Sequence, residues 1–363
     1  MEISYNNKKS ILKILENSKS FVCKESICND GSILIKGDNF NGLSFLLNNG
    51  YEGKIDLIYI DPPFNTNQNF CISEERCQSI STPKNSVVAY SDRHTLDEYL
   101  EFVRERVVLM HKLLSDKGSL YFHIDAKMGH YCKLILDEIF GRENFRNDIT
   151  RVKSNPKNFS RSAYGNEKDM ILFYAKKSGK NIWNNVTESL SDEEIKKRYI
   201  KKDERGYYTT IPLHAPGETI HGSTGRSWRG MMPPSGRHWR TDPKEFDKLD
   251  EQGLIEWSSN GNPRLKKYAK DHKGKKIQDI WTFKDPQYPL YPTQKNEEMI
   301  KRIIMQSSSE DSIILDCFAG GGTTLVAAEK LSRKWIGIDN SEESIKVIKN
   351  RMGSVSFMEF DLT

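Results

Sequence analysis

The apolar residues of this chain fall into two alternating periods. Near-continuous runs of strand length stand at 33–36 (ILIK), 55–60 (IDLIYI), 119–124 (SLYFHI) and 170–174 (MILFY). Apolar side chains at consecutive positions suit strands covered on both faces. Between the runs the spacing becomes helical, with Leu43, Leu46 and Leu47 after the first and Leu96, Leu100, Val103, Val107, Met110 and Leu114 before the third. That longer helix opens on Thr95 with Glu98 three residues on, a reciprocal capping pair, and Lys117-Gly118 stops it. Another helical stretch covers 131–140. The alternation returns near the C-terminal end, with strands at 313–317 and 334–338 and helices from 323 to 331 and from Ser341 onward. Such alternation predicts an α/β fold: a doubly wound, mostly parallel sheet with right-handed crossovers.

Two stretches break this rhythm. Residues 65–91 are polar and irregular, too long for a simple connection, and read as a mobile loop that closes over a site. Between about 177 and 285 the alternation fails altogether, and 212–240 is crowded with Gly, Pro, Trp, Arg and His. That is turn chemistry interleaved with aromatic and cationic side chains. The middle is therefore expected to be a separate module, dividing the chain into 1–178, 179–285 and 286–363. Charge sharpens the division. The overall net charge of +5 is bland, yet residues 151–285 hold 28 Lys and Arg against 18 Asp and Glu, leaving 27 against 32 elsewhere. A basic middle between acidic flanks is expected to face a polyanion.

Composition excludes several classes. With 36% hydrophobic and 29% charged residues the chain has a globular balance. No segment reaches eighteen uninterrupted apolar residues and the first ten are polar, so a cytoplasmic protein with no membrane association is expected. The six cysteines (Cys23, Cys28, Cys71, Cys77, Cys132, Cys317) form no CxxC pair and no zinc-type spacing with histidine, so no metal is expected.

Ligands of open α/β sheets bind at the carboxyl ends of strands, and Asp38, Asp61 and Asp339 all stand there. The strand, glycine cluster and helix over 313–331 form a nucleotide-type turn, in which glycines admit a ligand close to the backbone. It lacks the Gly-Lys-Ser/Thr of a phosphate loop and the full GxGxxG spacing. Asp339, at the end of the next strand, is placed to accept hydrogen bonds from two ribose hydroxyls, so adenosine without a pyrophosphate is the expected ligand. The sharper feature is Asp61-Pro62-Pro63-Phe64. An amino group on a base is a poor nucleophile because its lone pair is delocalised into the ring. A carboxylate from Asp61 and a carbonyl from Pro62, each accepting one N–H, would localise and aim that lone pair. The two prolines stiffen the turn, and Phe64 offers a face for an extruded base.

Together these motifs resemble those of the amino-directed DNA methyltransferases. Asp61-Pro62-Pro63-Phe64 is similar to their DPPY/F catalytic motif, and Phe318-Ala319-Gly320-Gly321-Gly322 to their FxGxG motif for S-adenosyl-L-methionine (AdoMet). The order, catalytic motif first and cofactor motif last around a basic segment, resembles the β group. Gly37-Asp38-Asn39 and Tyr291-Pro292-Thr293-Gln294-Lys295 are similar to its supporting segments, so the likeness spans about 33–352. Phe64 stands where tyrosine is commoner. The resemblance implies a Rossmann-like sheet assembled from discontinuous halves, with a target-recognition domain inserted. It implies that Asp316, Phe318, Gly320, Gly322 and Thr323 surround the methionine part of AdoMet, that Asp339 takes the ribose and that Asp38 lies by the adenine, with Thr293 and Lys295 as weaker cofactor positions. Asp61, where cytosine-N4 enzymes usually carry Ser, implies adenine N6 as the target, with cytosine N4 or a specificity subunit serving a nuclease as alternatives. Double-stranded DNA is the expected partner, held by Arg226, Trp228, Arg229, Arg237, His238, Trp239 and Arg240 as groove-reading or helix-filling groups. A homodimer and a separate restriction subunit are further expectations of the resemblance.

Overall fold

The computed structural model describes residues 2–21, 27, 31–65, 69–72, 87–91, 94–154, 162, 164–292 and 294–363. It divides into two compact units, Met1–Val186 with Gln278–Thr363, and Thr187–Ile277.

The first unit is built on nine strands: β1 (Ile33–Lys36), β2 (Ile55–Ile60), β3 (Leu114–Ile124), β4 (Phe145–Val152), β5 (Lys168–Ala175), β6 (Ile280–Thr282), β7 (Ile313–Asp316), β8 (Lys334–Asp339) and β9 (Met358–Asp361). They form one sheet in the order β6-β4-β5-β3-β2-β7-β8-β1-β9. Every neighbouring pair is parallel except the two that involve β5, which runs against both β3 and β4. The sheet is therefore the mostly parallel α/β type expected. The ends of the chain interleave in it, because β2 lies beside β7 and β1 lies between β8 and β9.

Seven helices of this unit bear on the argument: α1 (Ile11–Lys19), α2 (Asn39–Asn48), α3 (Leu96–Leu113), α4 (Ala126–Phe140), α5 (Glu297–Ser307), α6 (Thr323–Lys330) and α7 (Glu342–Met352). The capping box of Thr95 and Glu98 forms as the sequence predicts. Two glycines show that helices cover both faces. A Cβ on Gly42 of α2 would stand 2.8 Å from Ile338, whereas one on the adjacent Gly337 would stand 2.4 Å from Leu325 of α6. Successive residues of a strand point to opposite faces, so α2 and α6 pack on opposite sides of β8. The runs read as doubly covered strands are buried apart from Lys36, with Ile55, Leu57, Ile58, Leu120 and Phe122 fully so.

Several elements depart from the sequence expectation. The stretch 65–91, read as an irregular closing loop, contains two strands, Asn69–Ile72 and Val87–Ser91, paired antiparallel; the rest of it lies largely outside the described residues. β4 (FRNDITRV) has no strand-like apolar period and exists because β5 offers it a hydrogen-bonding edge from Phe145 to Val152. Among the described residues no helix is long and apolar enough to cross a membrane.

The second unit has a four-stranded antiparallel sheet in the order Ile255–Trp257, Pro263–Tyr268, Gly206–Pro212, Lys201–Asp203. A short ribbon pairs His214–Pro216 with Arg237–Trp239. The helix Pro243–Glu251 starts at a proline under the Asp242 cap. Its core is Leu213, Trp228, Trp239, Phe246 and Ile255.

Candidate active site

The carboxyl ends of the central strands deliver the acids. Asp38 follows β1, Asp61 follows β2, and Asp316 and Asp339 close β7 and β8. All four line one cavity of about 250 Å³, together with Pro63, Lys295, Phe318, Gly320 and Thr323. Asp61 and Gly320 thus share a chamber although most of the chain separates them, because β2 pairs with β7 through Leu57–Ile314 and Ile58–Leu315.

The glycine turn is held open by its own backbone. Gly320 and Gly322 have φ of +50° and +71°, the left-handed region that glycine tolerates. A Cβ on Gly321 or Gly322 would stand 2.8 Å from Tyr291 or 2.7 Å from Ile348, so the turn also needs their small size. The Asp339 carboxylate accepts the N–H of Gly320 at 2.8 Å and that of Ser341 at 2.9 Å. Asp316 accepts from the N–H of Phe318 at 3.0 Å and the hydroxyl of Thr324 at 2.6 Å. Burial, reinforced by the nearby Asp61 and Asp339 charges, pushes the Asp316 carboxyl up to about 7. Four acids around one chamber suit a cationic ligand. Phe318 packs edge-on against Phe102 at 6.0 Å, and Thr323 begins α6 beside Arg351. Asp38 caps α2 through the N–H of Phe40 and is paired with Arg106 at 3.0 Å.

At the second motif one acceptor is occupied and one is open. Asp61 Oδ2 is paired with Lys295 Nζ at 2.6 Å, while Oδ1 is buried and has no hydrogen-bond partner. Lys295, expected beside the cofactor, therefore sets its ammonium on the acid of the neighbouring motif, 5.5 Å from the Phe64 ring. The Tyr99 hydroxyl donates to the Pro63 carbonyl at 2.6 Å and locks the turn, and Pro62 between them is buried. Thr293 lies outside the described residues. Sequence reasoning missed Tyr59 and His123, buried in apolar strands behind Asp61; the isolated histidine in SLYFHI was the available signal. Among the described residues no group of His, Cys, Asp and Glu is arranged to hold a metal ion.

In the second unit the structure sorts the expected DNA contacts. Trp228 and Trp239 are 2% and 3% exposed and form the core with Phe246, so they are corrected from groove readers to packing residues. Their indole N–H groups are satisfied internally, by Asp247 and by the Arg226 carbonyl. Arg229 is tied to Asp247 and Asp250 and lies 4.9 Å from the Trp228 ring, which neutralises it. His238 bonds to the Gly217 carbonyl at 2.8 Å. Arg226, Arg237 and Arg240 remain exposed. Arg264, which the sequence did not single out, faces His214 together with Arg237 and Arg240. Burial and these three guanidiniums hold the His214 imidazole below its usual range.

Comparison with known proteins identifies the family. The family model described as DNA methylase (N6_N4_Mtase) matches residues 55–350. The type II methyltransferase M.EcaI of Enterobacter cloacae is 40% identical over 357 residues, 97% of this chain and 75% of that protein. The Mod subunit of the type III restriction-modification enzyme StyLTI of Salmonella typhimurium is 27% identical over 84% of this chain, which spans only 51% of that subunit. Among solved structures, the M1.HpyAVI–SAM complex aligns with a TM-score of 0.45 at 18% identity, covering 88% of this chain and 99% of its own. The chain belongs to the N6/N4 family of amino-directed DNA methyltransferases. It is a DNA methyltransferase with AdoMet as its methyl donor.

The packing of the tryptophans makes a direct prediction. Trp228→Ala should destabilise the second unit by about 3–5 kcal/mol, the cost of emptying a core aromatic site. Chemical denaturation would show it as a lowered unfolding midpoint without DNA present; an unchanged midpoint would return Trp228 to the binding surface.

Proposed function

We propose that this chain methylates the exocyclic N6 of an adenine turned out of duplex DNA. The observation that carries the reading is Asp61 Oδ1, a buried acceptor with no partner, in the same cavity as the glycine turn. A buried carboxylate oxygen left unbonded is costly unless a ligand donor completes it. An amine N–H supplies that donor. Pro62 offers its carbonyl as the second acceptor, and the Tyr99 bond to Pro63 keeps both aligned. Lys295 fixes the carboxylate through its other oxygen, so Asp61 presents one defined lone pair. Phe64 provides the stacking face for the base.

The cavity also fits the cofactor. AdoMet supplies a methyl already made electrophilic by its sulfonium, so positioning and charge placement are what the protein contributes. In this reading Gly320 and Gly322 give close backbone approach, with Phe318 and Thr323 beside them. Asp316 faces the cationic methionine part, Asp339 the ribose, and Asp38, already anchored by Arg106, the adenine side. DNA lies along the second unit. Arg237, Arg240 and Arg264 have no carboxylate partner among the described residues, in contrast to Arg229, and gather around a histidine kept neutral. Such a cluster suits phosphate oxygens. Asp61, rather than the Ser usual in cytosine-N4 enzymes, favours adenine by family resemblance. The name of the StyLTI Mod subunit supports reading this chain as the modification component of a restriction-modification system.

Methylated DNA digested to nucleosides should contain N6-methyladenine; N4-methylcytosine in its place would establish the cytosine reading. Asp61→Ala should lower kcat on the order of 10²–10³-fold, as removal of a preorganised acceptor does, and leave AdoMet binding in calorimetry largely intact. AdoMet affinity should depend on pH with a known sign. The free Asp316 carboxyl sits at about 7, and a cationic ligand favours its ionised form. Binding should therefore be strongest above that value and weaken as pH falls through it, by up to about tenfold per unit. Asp316→Asn should weaken binding at pH 8 and flatten this dependence, and a wild-type affinity independent of pH would remove Asp316 from the cofactor site. Replacing Arg264 or Arg237 with Ala should reduce the salt slope of DNA affinity by about one each; an unchanged slope would place the DNA on another face.

A further inference from the structure

Behind Asp61 runs a row of ionisable side chains, one from each neighbouring strand of the sheet. His123 stands on β3, Asp169 at the start of the antiparallel β5, Arg151 on β4, and Asp285 just past β6. Tyr59 of β2 joins the row. Tyr59, His123, Asp169 and Arg151 are each at most 2% exposed, an expensive way to use five adjacent strands unless the charges are arranged for a purpose. The far end is neutralised. Arg151 is paired with Asp285 and donates to the Phe283 carbonyl at 3.0 Å, and Lys153 is paired with Asp169 at 2.6 Å. Burial alone would raise the Asp169 carboxyl, but His123 and Lys153 hold it well below the usual carboxylate range.

The near end contains one histidine between two carboxylates. His123 Nε2 lies 3.4 Å from Asp169 Oδ2, within electrostatic reach but without a formed hydrogen bond, while Nδ1 lies 2.8 Å from the Tyr59 hydroxyl and 3.8 Å from Asp61 Oδ1. The carboxylate of Asp169 favours a proton on Nε2, because a lone pair there would face a negative charge. Nδ1 is then an acceptor, and Tyr59 must donate to it. Burial and the Asp61 charge keep the Tyr59 hydroxyl protonated, far above its ordinary range, and burial pushes the His123 imidazole below its own despite the two carboxylates. The ring therefore carries a single proton, directed away from Asp61.

This explains why Asp61 Oδ1 is buried yet open. His123 Nδ1, 3.8 Å from it, has no proton to give, and the neighbouring Phe64 ring lies 6.2 Å from the imidazole. We propose that His123 is a positioning residue for methyl transfer: Tyr59 and Asp169 hold it as the neutral Nε2–H tautomer, so that Asp61 Oδ1 stays free for the amine of the target base. The proposal rests on the reading of Asp61 given above. Its consequence is an acid-sensitive step. A second proton on His123 would sit on Nδ1, and a small rotation would close the 3.8 Å gap and fill the acceptor before the base arrives. Four charged groups face the ring in addition to the Tyr59 hydroxyl. Asp61 after β2 and Asp169 on β5 favour that proton, and Arg151 on β4 and Lys295 before α5 oppose it.

The test combines a readout independent of turnover with a pH profile. In protein labelled with ¹⁵N-histidine, long-range proton–nitrogen NMR spectra of the wild type should show His123 with an unprotonated Nδ1 and a protonated Nε2. In Tyr59→Phe the Nδ1–H form should appear. At saturating AdoMet and DNA, Tyr59→Phe should lower kcat by about tenfold, the worth of one hydrogen bond at the reacting amine, with KM for AdoMet unchanged. Its acid limb should move to higher pH, since loss of the hydroxyl favours a proton on Nδ1. His123→Asn, which keeps an acceptor facing Tyr59 but cannot titrate, should lose this acid limb whatever its effect on melting temperature. A wild-type ring protonated on Nδ1, or variants whose acid limbs coincide with the wild type, would overturn the proposal. The two readings fail separately: Asp61→Ala as active as wild type would sink the assignment of Asp61, whereas an inactive Asp61→Ala with an unaltered Tyr59→Phe would sink only the role of His123.

Discussion

The parallel pairing of β2 with β7 is the constraint on which the rest depends. It joins a strand from the first sixth of the chain to one from the last, through two fully buried register pairs. Parallel strands end at the same side of a sheet, so this contact alone sets Asp61 beside Asp316 and brings the proline turn and the glycine turn to one cavity. Strands covered on both faces are held by apolar burial, at about 25 cal/mol for each Å² removed from water. The site is thus positioned by a large nonpolar contact rather than by its own charged groups, and those groups are free to be arranged for chemistry.

That freedom shows in the electrostatics of the cavity. Asp316 is buried with its carboxyl raised to about 7, and Asp61 keeps one oxygen unbonded. Neither arrangement is stabilising by itself; in the proposed reading both are completed by donors or cations arriving from outside. Lys295 moderates the cost at Asp61 by binding the opposite oxygen, which also orients the carboxylate. The buried row from Tyr59 to Asp285 extends the same logic inward: Tyr59 and His123 stay neutral beside Asp61, and beyond them Asp169, Arg151 and Asp285 alternate in sign.

The second unit follows a different rule. Its aromatic residues were conspicuous in the sequence because Trp, Arg and His cluster at 226–229 and 237–240, but closeness along the chain does not fix which side chains turn inward. Trp228 and Trp239 went inside, where a small sheet needs bulk to make any core, and Arg226, Arg237 and Arg240 went outside. Composition identified the right segment and misassigned the tryptophans within it. Arg264 escaped notice because the ribbon and the sheet strand that bring it near His214 are remote in sequence.

By itself the sequence determined the class of fold, the strands and helices that carry the two motifs, and the chemistry of an acid followed by two prolines, because those follow from local period, turn residues and side-chain type. The same local signals were silent on β4, since a strand without an apolar period forms only when a partner edge is present, and the short apolar pieces NFCI and VVAYS were passed over inside the polar stretch 65–91. Tertiary structure alone decided that Lys295 meets Asp61, that His123 lies between Tyr59 and Asp169, and that Trp228 is core. Those are contacts between residues far apart along the chain. Their distances are set by strand order and packing, which no local pattern of residues encodes.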